Sequence, residues 1–181
     1  GPSVAIGMEE LARLGIKNFI RVGTTGSIQK DVELGDLVIN KAAVRLDGTS
    51  QHYAPLNFPA VASFELTLAL QQAADSLSIP YHTGISVSSE RYDSYTGYVR
   101  KSLQGSLQEW QALGALNYEM ETAALFIVAQ SFGLQAASIC GVVAKRTDSE
   151  LVAPPDLYEL ASQRFQAVVK KTLQDLIKAG K

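Results

Sequence analysis

The chain is short of the features that usually point to a compartment or a partner. Cys140 is the one cysteine in 181 residues, so no disulfide or zinc framework can form within the chain. It lies in the apolar run Ala136–Ala144, where a buried, inert thiol is expected. No block of Lys or Arg appears, and a net charge of −2 with a pI near 5.7 gives no overall electrostatic case for nucleic acid. Any anion site must therefore be local. No signal peptide is recognisable and no apolar run is long enough to span a bilayer, so the expectation is a soluble chain with no membrane partner in a reducing, cytoplasmic compartment. What is present is an ordinary globular composition, 46% hydrophobic and 19% charged, with ample material for a single domain around one core.

The stretch Phe19–Gln29 organises the rest. Its apolar residues Phe19, Ile20 and Val22 read as a buried strand, and Gly23-Thr24-Thr25-Gly26-Ser27 reads as a polar turn at the carboxyl end of that strand. Ligands of open α/β sheets bind at such ends. Two glycines let backbone approach a ligand, the hydroxyls offer donors and acceptors, and Arg21 adds a cation, a set suited to an anion next to a polyol. An ordinary strand with a Gly/Thr turn explains this stretch equally well when it is taken alone.

The rest of the chain alternates helical and strand-like patterns. Val4–Leu14 has helical spacing, with Ser3 or a neighbour as its cap and Gly15 as its stop. Asp36–Asn40 and Ala43–Leu46 have the β-branched content of strands. Asp47–Ala60 reads as a loop carrying His52 and Tyr53, and nothing nearby pairs with that histidine. Phe64–Leu77 is an amphipathic helix, Tyr81–Ser88 a strand, Val99–Leu113 a helix anchored by Trp110, and Ala115–Tyr118 a short strand. Thr122–Phe132 is an apolar helix stopped by Gly133, Gln135–Val143 a buried strand, and Asp156–Lys178 a long terminal helix. The polar clusters Gly23–Ser27, Ser88–Arg91, Glu119–Glu121 and Lys145–Asp148 all fall at strand ends. Together they are expected to form one site on the carboxyl edge of a mixed α/β sheet. Glu119 and Glu121 bracket Met120 at the mouth of a helix, where acids are favourable caps and also good acceptors for paired sugar hydroxyls.

At these residues the text resembles a known family. RVGTTGSIQ, VRLDG, ERYDSY, SLQEWQALG, NYEMET and GVVAKRT occur here in the order seen in uridine phosphorylases of the nucleoside phosphorylase-I class. The resemblance implies a three-layer α/β/α sandwich around a mixed, barrel-like sheet, assembled from dimers into a homohexamer. It implies phosphorolysis of uridine to uracil and ribose 1-phosphate, with inorganic phosphate as co-substrate, no cofactor, and a monovalent cation between subunits as a family feature. By the same resemblance Arg21 and Thr24 would contact phosphate, and Thr24, Glu119, Met120 and Glu121 would line the ribose. Thr25, Gly26, Arg91, Val143, Ala144 and Arg146 would line the base. Arg21, Arg91 and Glu121 would carry catalysis. Purine-type relatives place an aspartate where Lys145-Arg146 stands here, and Asp148 lies beyond it, which favours a pyrimidine. A purine nucleoside phosphorylase, a nucleosidase and a non-catalytic nucleoside-binding homologue are the alternatives. The family's N-terminal region and a short segment between Ser89 and Glu90 are missing from this text, and an incomplete chain is the expected reason.

Overall fold

The computed structural model describes residues 1–90, 106–147 and 150–180. In chain order the elements are α1 (Pro2–Arg13), β1 (Asn18–Ser27), β2 (Leu37–Leu46), β3 (Ala60–Val61), α2 (Phe64–Ser76), β4 (Tyr81–Ser89), α3 (Ser106–Ala112), β5 (Asn117–Glu119), α4 (Thr122–Ser131), β6 (Gln135–Arg146), β7 (Glu150–Val152) and α5 (Pro155–Lys178). The strands form one mixed sheet in the order β3-β2-β4-β5-β1-β6-β7. A further antiparallel pairing of β2 with β6, from Leu37↔Gly141 to Asn40↔Ser138, closes β2, β4, β5, β1 and β6 into a ring. Closure removes the open edges that those strands would otherwise expose.

Helices cover the sheet on two faces. α1 and α4 pack with Phe19, Ala43, Ala60 and Ala136 in one cluster. α2 and α5 pack with Leu37, Ile39, Ala137 and Ile139 in another. Thr122 to Ala129 of α4 are all buried, as expected for a helix that is apolar all round. Gly133, at φ +65°, lets the chain leave α4 in a backbone conformation that most residues avoid. The observed layers are those of the expected α/β/α sandwich with a barrel-like sheet.

Several expectations are corrected in detail. Gly23–Ser27 is not a turn but the second half of β1, because the whole segment is paired with β6 and its last two residues also with β5. It runs parallel to β6 from Asn18↔Gln135 to Ser27↔Lys145, with a bulge at Thr25/Gly26, and antiparallel to β5 at Gly26↔Tyr118 and Ser27↔Asn117. The continuous ladder with β6, joined by β5 at Gly26, overrides the poor strand propensity of glycine. The segments read as Asp36–Asn40 and Ala43–Leu46 are one strand, with a bulge between Asn40 and Ala42 against β4. Lys145 and Arg146 continue β6 rather than following it, since β7 pairs with them. No side chain caps α1, whose N-cap is Gly1. The first part of the expected helix Val99–Leu113 lies outside the described residues, whereas Ser106–Ala112 is helical and Trp110 packs against Ile28, Val87, Ala115 and Tyr118.

Candidate active site

Arg21 and Gly23 lie two residues apart on one face of β1. A Cβ on Gly23 would sit 3.0 Å from Nη1 of Arg21 and 3.1 Å from Cζ and Nη2. The bare backbone at 23 is therefore what allows the guanidinium to fold across the strand toward β6. There Nη1 donates to Sγ of Cys140 at 2.9 Å, while Nη2 donates to Oε2 of Glu121 and lies 3.6 Å from Oε2 of Glu119. Burial alone would lower the pKa of Arg21, but Cys140, Glu119 and Glu121 outweigh it and hold the group above its ordinary value. Arg21 is a fixed cation in the middle of β1, between Cys140 of β6 and the carboxylates at the end of β5 and the start of α4.

The two carboxylates have different surroundings. Glu119 is wholly buried at the end of β5. Its Oε1 accepts from the hydroxyls of Ser86, at 3.3 Å, and Ser88, and its Oε2 accepts from the N–H groups of Glu121 and Thr122 at 2.8 and 2.7 Å. It thus satisfies the first N–H groups of α4 and sits at the positive end of that helix. Ser88 Oγ also accepts from the N–H of Ala123 at 2.8 Å, so β4, β5 and α4 are tied at one point. The Glu121 side chain is 30% exposed, and Arg21 engages its Oε2.

A second cation closes the other end of the Gly23–Gly26 run. Arg146, at the end of β6, lies over Gly26, where an added Cβ would come within 1.7 Å of its Nη1. Gly26 is paired with Tyr118, and the Tyr118 phenol is pushed up to about 12 by burial, against the opposing pull of a Ser106 hydrogen bond and the charge of Arg146. It is a neutral wall at physiological pH.

A family model described as the phosphorylase superfamily matches residues 2–174, almost the whole of this fold. The chain belongs to that superfamily. It is 46% identical over 177 residues to uridine phosphorylase of Escherichia coli (strain K12), covering 94% of this chain and 70% of that protein. It is 48% identical over 158 residues to uridine phosphorylase of Haemophilus influenzae, covering 83% of this chain and 63% of that protein. A guanosine phosphorylase of Halorubrum lacusprofundi is 37% identical over 181 residues, covering 95% of this chain and 70% of that protein.

Within this superfamily member, the sequence-predicted residues fall into distinct groups. Arg21, Glu119 and Glu121 are brought into direct contact, with the partly buried Met120 between the acids and the partly buried Thr24 next to Gly23. Arg146 and Gly26 meet at the other end of the run. Val143 and Ala144 lie on β6 between the two arginine clusters. Thr25 is fully buried, and its hydroxyl is already spent: it donates to the carbonyl of Tyr118 at 2.6 Å and accepts from Nδ2 of Asn117 at 2.8 Å. Arg91 and Asp148 lie outside the described residues. Lys145 points elsewhere, onto the carbonyl of Lys30 at 2.8 Å and Oε1 of Glu33. His52 is exposed, in a short 3-10 segment, as its loop position suggested.

Sequence reasoning missed the supports of the site. Ser86 and Ser88 hold Glu119, and Cys140 is a hydrogen-bond partner of the arginine rather than packing alone. The available signal was the alternation Gly84-x-Ser86-x-Ser88 on β4, polar or bare at every second place on a strand buried on both sides. Among the described residues, no cluster of three His, Cys, Asp or Glu side chains is arranged to hold a metal ion.

Proposed function

We propose that this chain catalyses reversible phosphorolysis of uridine. Phosphate forms a bond to C1′ of the ribose as the bond from C1′ to the ring nitrogen breaks, and the released electron pair leaves with uracil. The observation that carries this reading is the bonded unit of Arg21 with Glu119 and Glu121, which sets a fixed cation beside a partly exposed carboxylate. An anion and an adjacent diol need that pairing. Support for a pyrimidine comes from the similarity to the E. coli and H. influenzae uridine phosphorylases and from Arg146 next to Gly26.

The chemistry follows from charge. As the glycosidic bond lengthens, positive charge develops on the sugar and negative charge on the departing base. Arg21 and Thr24 orient phosphate under C1′, where it both attacks and stabilises the cationic ring. Glu121 accepts hydrogen bonds from the ribose hydroxyls and fixes the ring for in-line attack. Glu119 keeps the start of α4 and the Glu121 backbone in place from behind. Arg91, helped by Arg146, donates to the uracil as its negative charge grows, a bond that strengthens along the reaction. A dimer-based hexamer and a cytoplasmic location belong to the same proposal.

The decisive assay sets uridine beside inosine, each with and without inorganic phosphate. Uridine loss that requires phosphate and yields ribose 1-phosphate is the expected result. Loss of uridine without phosphate makes the protein a nucleosidase, and faster turnover of inosine makes it a purine enzyme. In the same assay Arg91→Ala should lower kcat/KM for uridine by about tenfold to a hundredfold, the loss expected for a charge-assisted hydrogen bond, with the melting temperature unchanged. Near-normal turnover of that variant would remove Arg91 from the base site.

A further inference from the structure

We infer that Cys140 is a positioning residue for Arg21, and that its sulfur, held by a buried polar lattice, keeps the guanidinium presented to phosphate. This rests on the reading of Arg21 as a phosphate ligand. Cys140 stands on β6 directly opposite Gly23 of β1 and opposite Val38 of β2, where the ring of strands closes. Because Gly23 has no side chain, Arg21 reaches across it and places Nη1 on Sγ at 2.9 Å. The same guanidinium has its Nη2 on Glu121, with Glu119 close by. One edge of the fork is thus engaged by carboxylate and one corner is pinned inward by sulfur. Without the sulfur, Nη1 loses its inward acceptor and the fork can pivot about its contact with Glu121, which changes the edge it presents to phosphate.

The sulfur is itself fixed. Asn40 Nδ2 lies 3.5 Å from it and donates to Ser138 Oγ at 3.2 Å. Ser138 Oγ is 3.8 Å from Sγ and 3.0 Å from Oγ1 of Thr122, at the start of α4. Asn40, Thr122, Ser138 and Cys140 are all fully buried. This lattice is not there for packing alone: Oδ1 of Asn40 is buried and finds no hydrogen-bond partner among the described residues, a penalty that an apolar core would avoid. The arrangement is understandable if its value lies in where it holds Arg21.

The test compares Cys140→Ala, which removes the acceptor, with Cys140→Ser, which keeps one. Melting temperature, the KM for phosphate and the KM for uridine are measured for each, and inorganic phosphate is titrated calorimetrically into each protein without nucleoside. Cys140→Ala is expected to raise the KM and the Kd for phosphate roughly tenfold, in the range of one hydrogen bond to a charged group. The uridine KM should stay within about twofold, and Cys140→Ser should recover most of the phosphate affinity. A phosphate affinity unchanged in Cys140→Ala overturns the inference, as does an equal loss for both variants and both substrates, which would indicate packing only. If Cys140→Ala does not fold, Cys140→Val fills the space without offering an acceptor and must show the same phosphate defect. A wild-type protein that binds phosphate but does not cleave uridine overturns the proposed function and leaves the calorimetric comparison to decide the role of Cys140.

Discussion

Both arginines of the site depend on neighbours that have no side chain. Arg21 folds over Gly23 and Arg146 folds over Gly26, so each glycine is a vacant place that a cation fills. In the sequence the two glycines read as openings for a ligand to approach the backbone. The structure gives these glycines a different place, under the two guanidinium groups, because side-chain contacts along and across a strand cannot be read from spacing alone. The close neighbour at 23 is the far end of the Arg21 side chain, and shifting it loosens buried contacts with Cys140, Glu119 and Glu121, so Gly23→Ala should cost about 1–3 kcal/mol. It should also displace the guanidinium and raise the KM for phosphate by about tenfold or more. Gly26→Ala is the harsher change, since the new Cβ would come within 1.7 Å of Nη1 of Arg146, and the arginine must leave its place. Its kcat/KM for uridine should fall by on the order of a hundredfold. Steady-state kinetics with each substrate varied, alongside thermal melting, separates the two. A Gly23→Ala enzyme with wild-type phosphate kinetics would show that Arg21 needs no such vacancy.

At the scale of elements, the start of α4 is where stability and function meet. Glu119 is buried and accepts from Ser86, Ser88 and the N–H groups of Glu121 and Thr122 while lying 3.6 Å from Arg21. Glu119→Gln keeps the shape but turns an amide NH2 toward donors and removes the negative charge facing a buried cation. A loss of about 2–4 kcal/mol in denaturant unfolding is expected. A change below about 0.5 kcal/mol would show that the helix start is held by other means. The packing of α5 on β6 offers a second test, because a Cβ on Gly141 would lie 2.9 Å from Cβ of Ala161 and 3.2 Å from Cδ1 of Phe165. Gly141→Ala should push the helix outward at a cost of about 1–3 kcal/mol, read in the same unfolding experiment. The main helices and strands were legible, since α2, α4, α5 and β6 each carry a sustained apolar pattern. β3 and β7 were not: β3 has two residues and β7 three, and each exists only because a distant segment pairs with it, Ala43 with Ala60 and Lys145 with Leu151. The extension of β1 through Gly23–Ser27 was missed for the same reason, as its glycines and threonines are held in a strand by pairing with the distant β6.

At the scale of the whole molecule, the sheet is mixed: β5 runs antiparallel to β1 and carries Glu119 back toward Arg21, whereas Arg146 ends β6 beside Gly26, so the expected single carboxyl edge is not what gathers the described polar residues. The ring closes where Val38 pairs with Cys140 and Ile39 with Ile139, a contact that no local pattern announces; the family resemblance implied a barrel-like sheet but not this pairing. Cys140 lies on this closing pair, is fully buried and is the one thiol present, so it can report whether the ring opens. Burial pushes its pKa up against the pull of Arg21 and Ser138, so the thiolate that reacts with a disulfide reagent is disfavoured as well as inaccessible. In the folded protein at neutral pH, modification must therefore proceed through opening of the ring and should run at least about a thousandfold slower than in the unfolded chain. A ligand that binds only the closed form suppresses opening by mass action, so phosphate at ten times its Kd should slow the reaction a further tenfold or so. Arg21→Ala should abolish that protection while leaving the chain folded. Rapid stoichiometric labelling of the native protein would mean that β2 and β6 part readily. Slow labelling that phosphate leaves unchanged would mean that phosphate binding and ring closure are independent, and that the site does not need the closed ring to hold its anion.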